Sequence, residues 1–394
     1  MIVRRCALGC AIAALVTSSV APAQQLPLPA PQASVQPADA QGAYQPQDKD
    51  ERGLWMEMEE SERQVRTSNF VIHDPAINAY VHDVFCRTVG PRCSEIRIYL
   101  MRTPYFNATT APNGMMQIWS GLLLRVRNEA QLSAVLAHEF IHYQDRHSLA
   151  LFRQAKSKSS TVAWMSVFGL GLFALGEIGA LYKFSRDQES EADTGSLGLM
   201  AKAGYDPREA GRIWEQFRAE ADATAEARKV KSRKDKDRGM FATHPPSAER
   251  VASLNALAAK MTVPPTASIG RSEYQAALGR WWASLIDDQV KLNDFGGTEY
   301  LIGNLASEGW TPSLNYARGE LYRSRGRPED LTAAVGFYRS ASAAPDAPVE
   351  CWRGLGLSLL RSGAQADGQA ALKIYLTRKP DASDKALIAM MAGG

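Results

Sequence analysis

The stretch "AVLAHEFIHYQDRH" at 134–147 sets His138 and His142 four residues apart, with Glu139 directly after the first. On an α-helix that spacing puts both imidazoles on one face, one turn apart and within reach of a single metal ion. Glu139 is turned by about 100° from His138, so it flanks such an ion and suits a base acting on water held there. Asn128 reads as the N-cap, with Gln131 three residues on, and Leu132, Val135, Leu136 and Phe140 supply an apolar face. Alone, H-E-x-x-H arises by chance in on the order of one in a hundred chains of this length. A solvent-facing helix that happens to carry histidines is the plain alternative. The metal reading therefore makes a demand on the fold, because a catalytic zinc needs a third protein ligand and an open position.

The other half can come from "SRDQESEAD" (185–193), an acidic cluster at the start of a predicted helix. Glu189 and Asp193 lie four apart on one face, so one can bind metal while the other holds a ligand histidine from behind. Glu191 is about 200° from Glu189, so these two cannot share the duty, and spacing leaves the choice between them open. Between the halves, residues 161–184 are nearly continuous apolar sequence, long enough to raise the question of a membrane span. A single crossing would put the two halves on opposite sides of a bilayer. At about 20 residues per span, these 24 residues cannot cross twice. With a metal site, the segment reads as a buried plug over the cleft, and contact with a membrane surface is the rival reading.

The 394 residues suffice for two or three domains. A net charge of +3 gives no sign of a nucleic-acid partner. Arg4 and Arg5, the apolar run 6–20 and Ala21-Pro22-Ala23 read as a cleavable secretory signal over 1–23. Export allows Cys86 and Cys93 to pair around the turn between them and leaves Cys351 free. Residues 24–50, rich in Pro, Gln and Ala, read as a disordered tether, with order beginning near Trp55. A helix follows at "DPAINAYVHDVFCRTV", and His73 and His82 in this amino-terminal helical region read as ordinary surface or capping residues. "EIRIYLMR" reads as a strand, and Pro112-Asn113-Gly114 as a turn between extended segments. After a globular domain over 51–262 come a helical connector, 263–312, and two degenerate 34-residue helical hairpins, 313–394. Trp352, Leu355, Gly356, Leu372 and Pro380 fall at tetratricopeptide spacing, as do Tyr316, Ala334, Tyr338 and Ala341 once an insertion is allowed. Such hairpins are too few for a free-standing solenoid and should pack on the domain before them.

"HEFIHYQDRH" followed by "SRDQESEAD" resembles the zinc metallopeptidase family of HtpX and the CAAX prenyl protease, of gluzincin type. His147 after Arg146 matches a frequent form of its first motif. "NATTAPNG" and "THPPSAERV" resemble its edge-strand and His-Pro segments, and export plus repeats are similar to its periplasmic BepA-like branch. The resemblance implies an α+β fold, a mostly helical zincin-type domain with a small β-sheet, followed by an all-α tetratricopeptide-like region. It implies one zinc ion per chain, held by His138, His142 and Glu189, with Asp193 behind them and Glu139 as the base. Asn107, Ala108, Thr109, Thr110 and Ala111 would form the substrate edge strand, and His244 a fourth ligand or gate. The implied function is a periplasmic endopeptidase acting on misfolded or stalled envelope proteins. The outer-membrane protein assembly machinery would be a partner. A non-proteolytic chaperone or scaffold acting through the repeats is the alternative.

Overall fold

Asp48 accepts hydrogen bonds from the N–H groups of Asp50 and Glu51 and starts the first helix, α1 (Lys49–Arg66). The structure, a computed structural model, describes residues 44–158, 184–232, 234, 244 and 247–394. The signal segment, residues 24–43 of the tether and residues 161–183 of the apolar run lie outside the described residues. The expected tether, 24–50, ends sooner than its composition implied. Tyr44 packs on Trp55 with ring centroids 6.1 Å apart, and the Arg146 guanidinium covers its face. One aromatic ring and one helix cap are enough to dock a stretch that is otherwise polar.

Asp74 caps α2 (Pro75–Val89), and a 3₁₀ turn over Gly90–Glu95 leads into the sheet. Cys86 and Cys93 are joined across this turn, with Cα atoms 4.9 Å apart, and Cys351 is free and buried. Strands β1 (Arg97–Met101), β2 (Ala108–Thr110) and β3 (Met115–Trp119) lie in the order β1-β3-β2, β1 parallel and β2 antiparallel to β3. Gly114, at φ 84°, takes the left-handed position in the turn from β2 to β3. Trp119 N–H donates to the Asn107 carbonyl (3.0 Å) and Ala111 N–H to the Met115 carbonyl (2.8 Å). In an antiparallel pair the hydrogen-bonded positions alternate. Residues 107, 109 and 111 therefore face β3, while Ala108 and Thr110 turn their backbone N–H and C=O to the free edge.

Next come α3 (Ser120–Arg125), α4 (Glu129–Gln144), α5 (His147–Lys158), α6 (Arg186–Lys202), α7 (Glu209–Ala227) and α8 (Ala248–Ala259). Helix α4 carries the paired histidines. Asn128 caps it, its side chain accepting from Gln131 N–H at 2.8 Å. Every residue from Glu129 to Tyr143 is buried, so α4 is a central helix and not the one-sided helix its apolar pattern implied. Helices α2, α6 and α7 and strand β2 pack around it.

Helices α9 (Arg271–Val290) and α10 (Phe295–Leu305) cover the segment read as a connector. They are part of the main core: Tyr274, Leu278, Trp282, Leu301 and Ile302 belong to the same buried cluster as Phe85, Leu132 and Phe140. Arg125 pairs with Glu220 at 2.6 Å and donates to Gln289 Oε1 at 3.1 Å, joining α3, α7 and α9 inside the protein. The carbonyls of Gly270 and Ile269 accept the N–H groups of Glu129 and Ala130 (3.2 and 3.1 Å), so this segment also satisfies the start of α4. Composition marked a boundary near residue 262, but burial does not respect it.

Helices α11 (Pro312–Arg325) and α12 (Pro328–Ser342) form one hairpin, and α13 (Glu350–Arg361) and α14 (Gln365–Arg378) a second, before a final short α15 (Lys385–Met391). Leu314, Ala317 and Leu321 of α11 join the main core, which seats the hairpins directly on the preceding domain. Tyr338 is fully buried in the hairpin core, donating to Glu320 Oε1 (2.6 Å) and accepting from Arg323 Nε (3.1 Å). Tyr338→Ala should cost about 3–5 kcal/mol, by analogy with other buried aromatics. A urea titration followed by circular dichroism checks this, as a lower midpoint for the unfolding of the hairpins.

Candidate metal centre

Helix α6 brings the acidic cluster to α4. Ser185 and Gln188 form a reciprocal capping box at its start. Gly195 lets the two helices close on each other, since a Cβ there would stand 2.8 Å from Ile141 Cδ1. Glu189 and Asp193, one turn apart, then both face the histidines. Helix α8, capped by Ser247, brings Arg250, and the segment before it brings His244.

Four donors converge, all within 4.8 Å of one another: His138, His142, Glu189 and His244. His138 Nε2 lies 3.0 Å from His142 Nε2 and 3.3 Å from His244 Nδ1. Glu189 Oε1 lies 2.8 Å from His244 Nδ1 and 3.5 Å from His142 Nε2. A tetrahedral ion with ligands at 2.0–2.1 Å needs donors about 3.3 Å apart, and these separations bracket that value.

Proton placement points the same way. His138 Nδ1 is 3.0 Å from Asp193 Oδ1, which calls for the Nδ1–H tautomer and leaves Nε2 bare. His142 Nδ1 is 2.8 Å from His147 Nδ1, and His147 Nε2 is 3.2 Å from Glu191 Oε2. With His147 donating to Glu191, its Nδ1 accepts from His142, whose Nε2 is then bare as well. Two bare ring nitrogens 3.0 Å apart repel unless a cation lies between them. Arg250 Nη1 stands 3.0 Å from Glu189 Oε2, but its angles make no hydrogen bond, so that buried oxygen has no donor. The donor set fits a divalent metal ion such as zinc.

The surroundings hold these groups in the required states. Burial pushes the His142 imidazole down to about 2 and lowers His138 too, so both stay neutral. Burial alone would raise Asp193, but the Arg250 charge and the hydrogen bonds from His138 and Arg250 outweigh it and hold the carboxyl at about 2. Arg250 grips Asp193 with two bonds, 2.8 and 2.6 Å, and its guanidinium lies 4.1 Å over the Trp214 ring. Phe184 stacks on His142 at 4.0 Å. Glu139 is buried, and burial pushes its carboxyl up to about 7. His244 Nε2 sits 3.4 Å from Glu139 Oε1, so His244 touches both the donor set and this carboxylate.

Of the acidic candidates, Glu189 enters the cluster, and Glu191, mostly exposed, pairs with His147 instead. Among the edge-strand residues, Thr110 aims its backbone N–H at Glu139. Asn107 and Ala108 line the adjoining cavity with apolar Phe106, Val135, Ile213 and Trp214. Thr109 lies on the β3 side of the strand and pairs with Gln117, while Ala111 turns toward Met115. His82 lies apart, 3.6 Å from the Cys86 sulfur. Sequence spacing missed Arg250, Trp214 and the contact between His147 and Glu191. Arg250 stands six residues after His244 in "THPPSAERV", but no spacing rule ties residue 250 to residue 193. Trp214 carried no signal at all.

A mostly helical domain that buries two histidines, a glutamate and a flanking carboxylate on crossed helices has the build of a zincin metallopeptidase. The profile of peptidase family M48 matches residues 73–258 of the chain. It is similar to the beta-barrel assembly-enhancing protease of Yersinia pestis, 27% identical over 224 residues, covering 52% of this chain and 44% of that protein. It is also similar to the metalloprotease YcaL of Escherichia coli, 34% identical over 164 residues, 39% of this chain and 58% of YcaL. The mitochondrial metalloendopeptidase OMA1 of Schizosaccharomyces pombe is 31% identical over 161 residues, 40% of this chain and 45% of that protein. The chain spans about half the length of the curated relatives it matches.

Glu189→Ala should leave the purified protein with less than one zinc per chain by mass spectrometry under native conditions. His147→Ala removes only the group behind His142, so chelator competition should show zinc affinity about 10–100-fold weaker, the usual cost of losing such a partner.

Proposed function

We propose that this protein is a zinc-dependent endopeptidase, with His138, His142 and Glu189 as metal ligands and Glu139 as general base. The convergence of four donors at tetrahedral spacing beside a buried, raised carboxylate carries the reading. His138, His142 and Glu189 would hold a zinc ion there, and it would supply Lewis acidity toward the scissile carbonyl and the attacking water. Glu139 takes the proton from that water and passes it to the leaving amine. Asp193, fixed by Arg250, and His147, fixed by Glu191, keep the two imidazoles oriented. Substrate adds a strand along β2, paired to the outward N–H and C=O of Ala108 and the outward C=O of Thr110. Main-chain pairing of this kind asks for an extended, unfolded substrate and little sequence.

Unfolded or misassembled envelope proteins are the substrates we infer, with the outer-membrane protein assembly machinery as a partner. The beta-barrel assembly-enhancing proteases among the relatives support this reading. The helical hairpins, tetratricopeptide-like in spacing, would recruit client or partner. The Cys86–Cys93 disulfide agrees with an oxidising compartment, here the periplasm. Among the described residues no helix is long and apolar enough to cross a membrane. His244 closes the resting site in this reading, because its Nδ1 occupies the fourth position while its Nε2 abuts Glu139.

Glu139→Gln should cut hydrolysis of an unfolded protein by about 10²–10⁴-fold, the usual worth of a general base, while zinc content holds. Undiminished degradation would overturn the peptidase reading in favour of a scaffold. His244→Ala should raise the rate on the same substrate, and an unchanged or lower rate would remove the gate.

A further inference from the structure

A second, small cavity with a partly apolar lining lies away from the metal centre, between the segment just before α4, one face of α9 and the end of α10. Arg127, Arg271, Gln275, Trp282 and Ser307 are among the residues lining it. Its lining has more donors than acceptors. Trp282 is only 6% exposed, and its indole Nε1 is buried without an acceptor. Arg271 Nε is likewise buried without one, although its Nη1 reaches Glu308 Oε1 at 2.8 Å. Arg127 is half-buried and faces the Arg271 charge. Tyr300 hydrogen-bonds it, and among the described residues no carboxylate forms an ion pair with it, the Glu209 charge that acts on it being already paired with Arg212. The contrast with Arg125, two residues earlier, is direct, since Glu220 neutralises that guanidinium at 2.6 Å.

Glu308 offsets one of the two cavity charges and Glu209 is shared with Arg212, so positive charge is in excess around the recess, and two of its lining residues carry orphaned donors. An unpaired buried donor costs about 1–3 kcal/mol, and two half-buried guanidiniums repel each other. A single group that brings negative charge and several acceptor lone pairs removes both penalties. We propose that this cavity is a binding site for a small oxyanion, a phosphate or a carboxylate, held by Arg127, Arg271 and the Trp282 indole N–H. Arg127 directly precedes the cap of α4, and His138 lies nine residues into the helix from Glu129, about 14 Å along its axis. The oxyanion site and the metal centre are therefore separate, and this proposal stands whether or not the peptidase reading does.

Isothermal titration of the zinc-loaded full chain with inorganic phosphate tests it, at constant ionic strength set with chloride to fix screening. N-acetylalanine and N-acetylalanine amide serve as a second pair of probes. Saturable phosphate binding assigns a free ion. Binding of N-acetylalanine but not its amide assigns a chain-terminal carboxylate. Either result supports the site if Arg127→Gln and Arg271→Gln each weaken binding about tenfold or more, as expected for a hydrogen bond to a charged group. Trp282→Phe keeps the ring and removes one donor, so it should weaken binding severalfold with the fold intact by circular dichroism. Zinc content must stay at the wild-type level in all three variants. No binding of any probe up to 10 mM (roughly the weakest interaction worth calling a site), or binding unchanged in both arginine variants, overturns the proposal.

Discussion

Two imidazole nitrogens, His138 Nε2 and His142 Nε2, stand 3.0 Å apart in the middle of the protein, both stripped of water. The rest of the domain is arranged around that repulsion. Burying a polar group costs free energy unless it is paired, and here the pairing is carried outward in shells. Asp193 takes the far side of His138 and Arg250 takes Asp193. His147 takes the far side of His142 and Glu191 takes His147, ending at the surface. The inner faces are left to Glu189 and His244, completing a donor set that fits a cation. With Asp193 and His147 fixed from behind, the two imidazoles are held oriented toward the inner set, which is how such centres gain affinity without rearranging.

That arrangement needs α4 to be enclosed on all sides, and the architecture provides it. The sheet contributes only three short strands, yet its edge strand β2 runs past Glu139 with alternate backbone groups turned toward the cleft. Ile269 and Gly270, just before α9, supply carbonyls to the first turn of α4, and α9 packs against that helix. The region after residue 262 is therefore part of the scaffold of the metal centre and not a spacer leading to the hairpins. Arg125, buried, and Arg127, half-buried, illustrate opposite solutions to one problem: the first is neutralised by the protein, while the second faces a cavity.

Much of the site was legible because its parts obey local rules. A one-turn histidine pair and a carboxylate pair at the same spacing each lie on one helical face, and helix geometry reads them without knowledge of the fold. The caps at Asn128 and Ser185, the Gly114 turn and the short disulfide loop are likewise matters of a few neighbouring residues. Legibility ended where neighbours in space are far apart in sequence. Spacing left Glu189 and Glu191 as alternatives, and they separate only once α6 docks on α4. Arg250 meets Asp193 across 57 residues, and Trp214 beneath it is one apolar residue among many. That the helices beyond 262 share the main core was hidden for the same reason: composition reports how polar a segment is, not which core its apolar face joins.

The sequence by itself determined the chemistry available: which residues bear lone pairs and protons, which helices carry them, and that two distant segments must meet if a metal is to be held. Only the tertiary structure decided which carboxylate enters the centre, which groups stand behind each imidazole, that His244 reaches both the donor set and Glu139, and where cationic charge is left uncompensated. Those choices depend on helix packing and burial over long sequence separations. The cost of an unpaired charge is set by what surrounds it, and no local pattern records those surroundings.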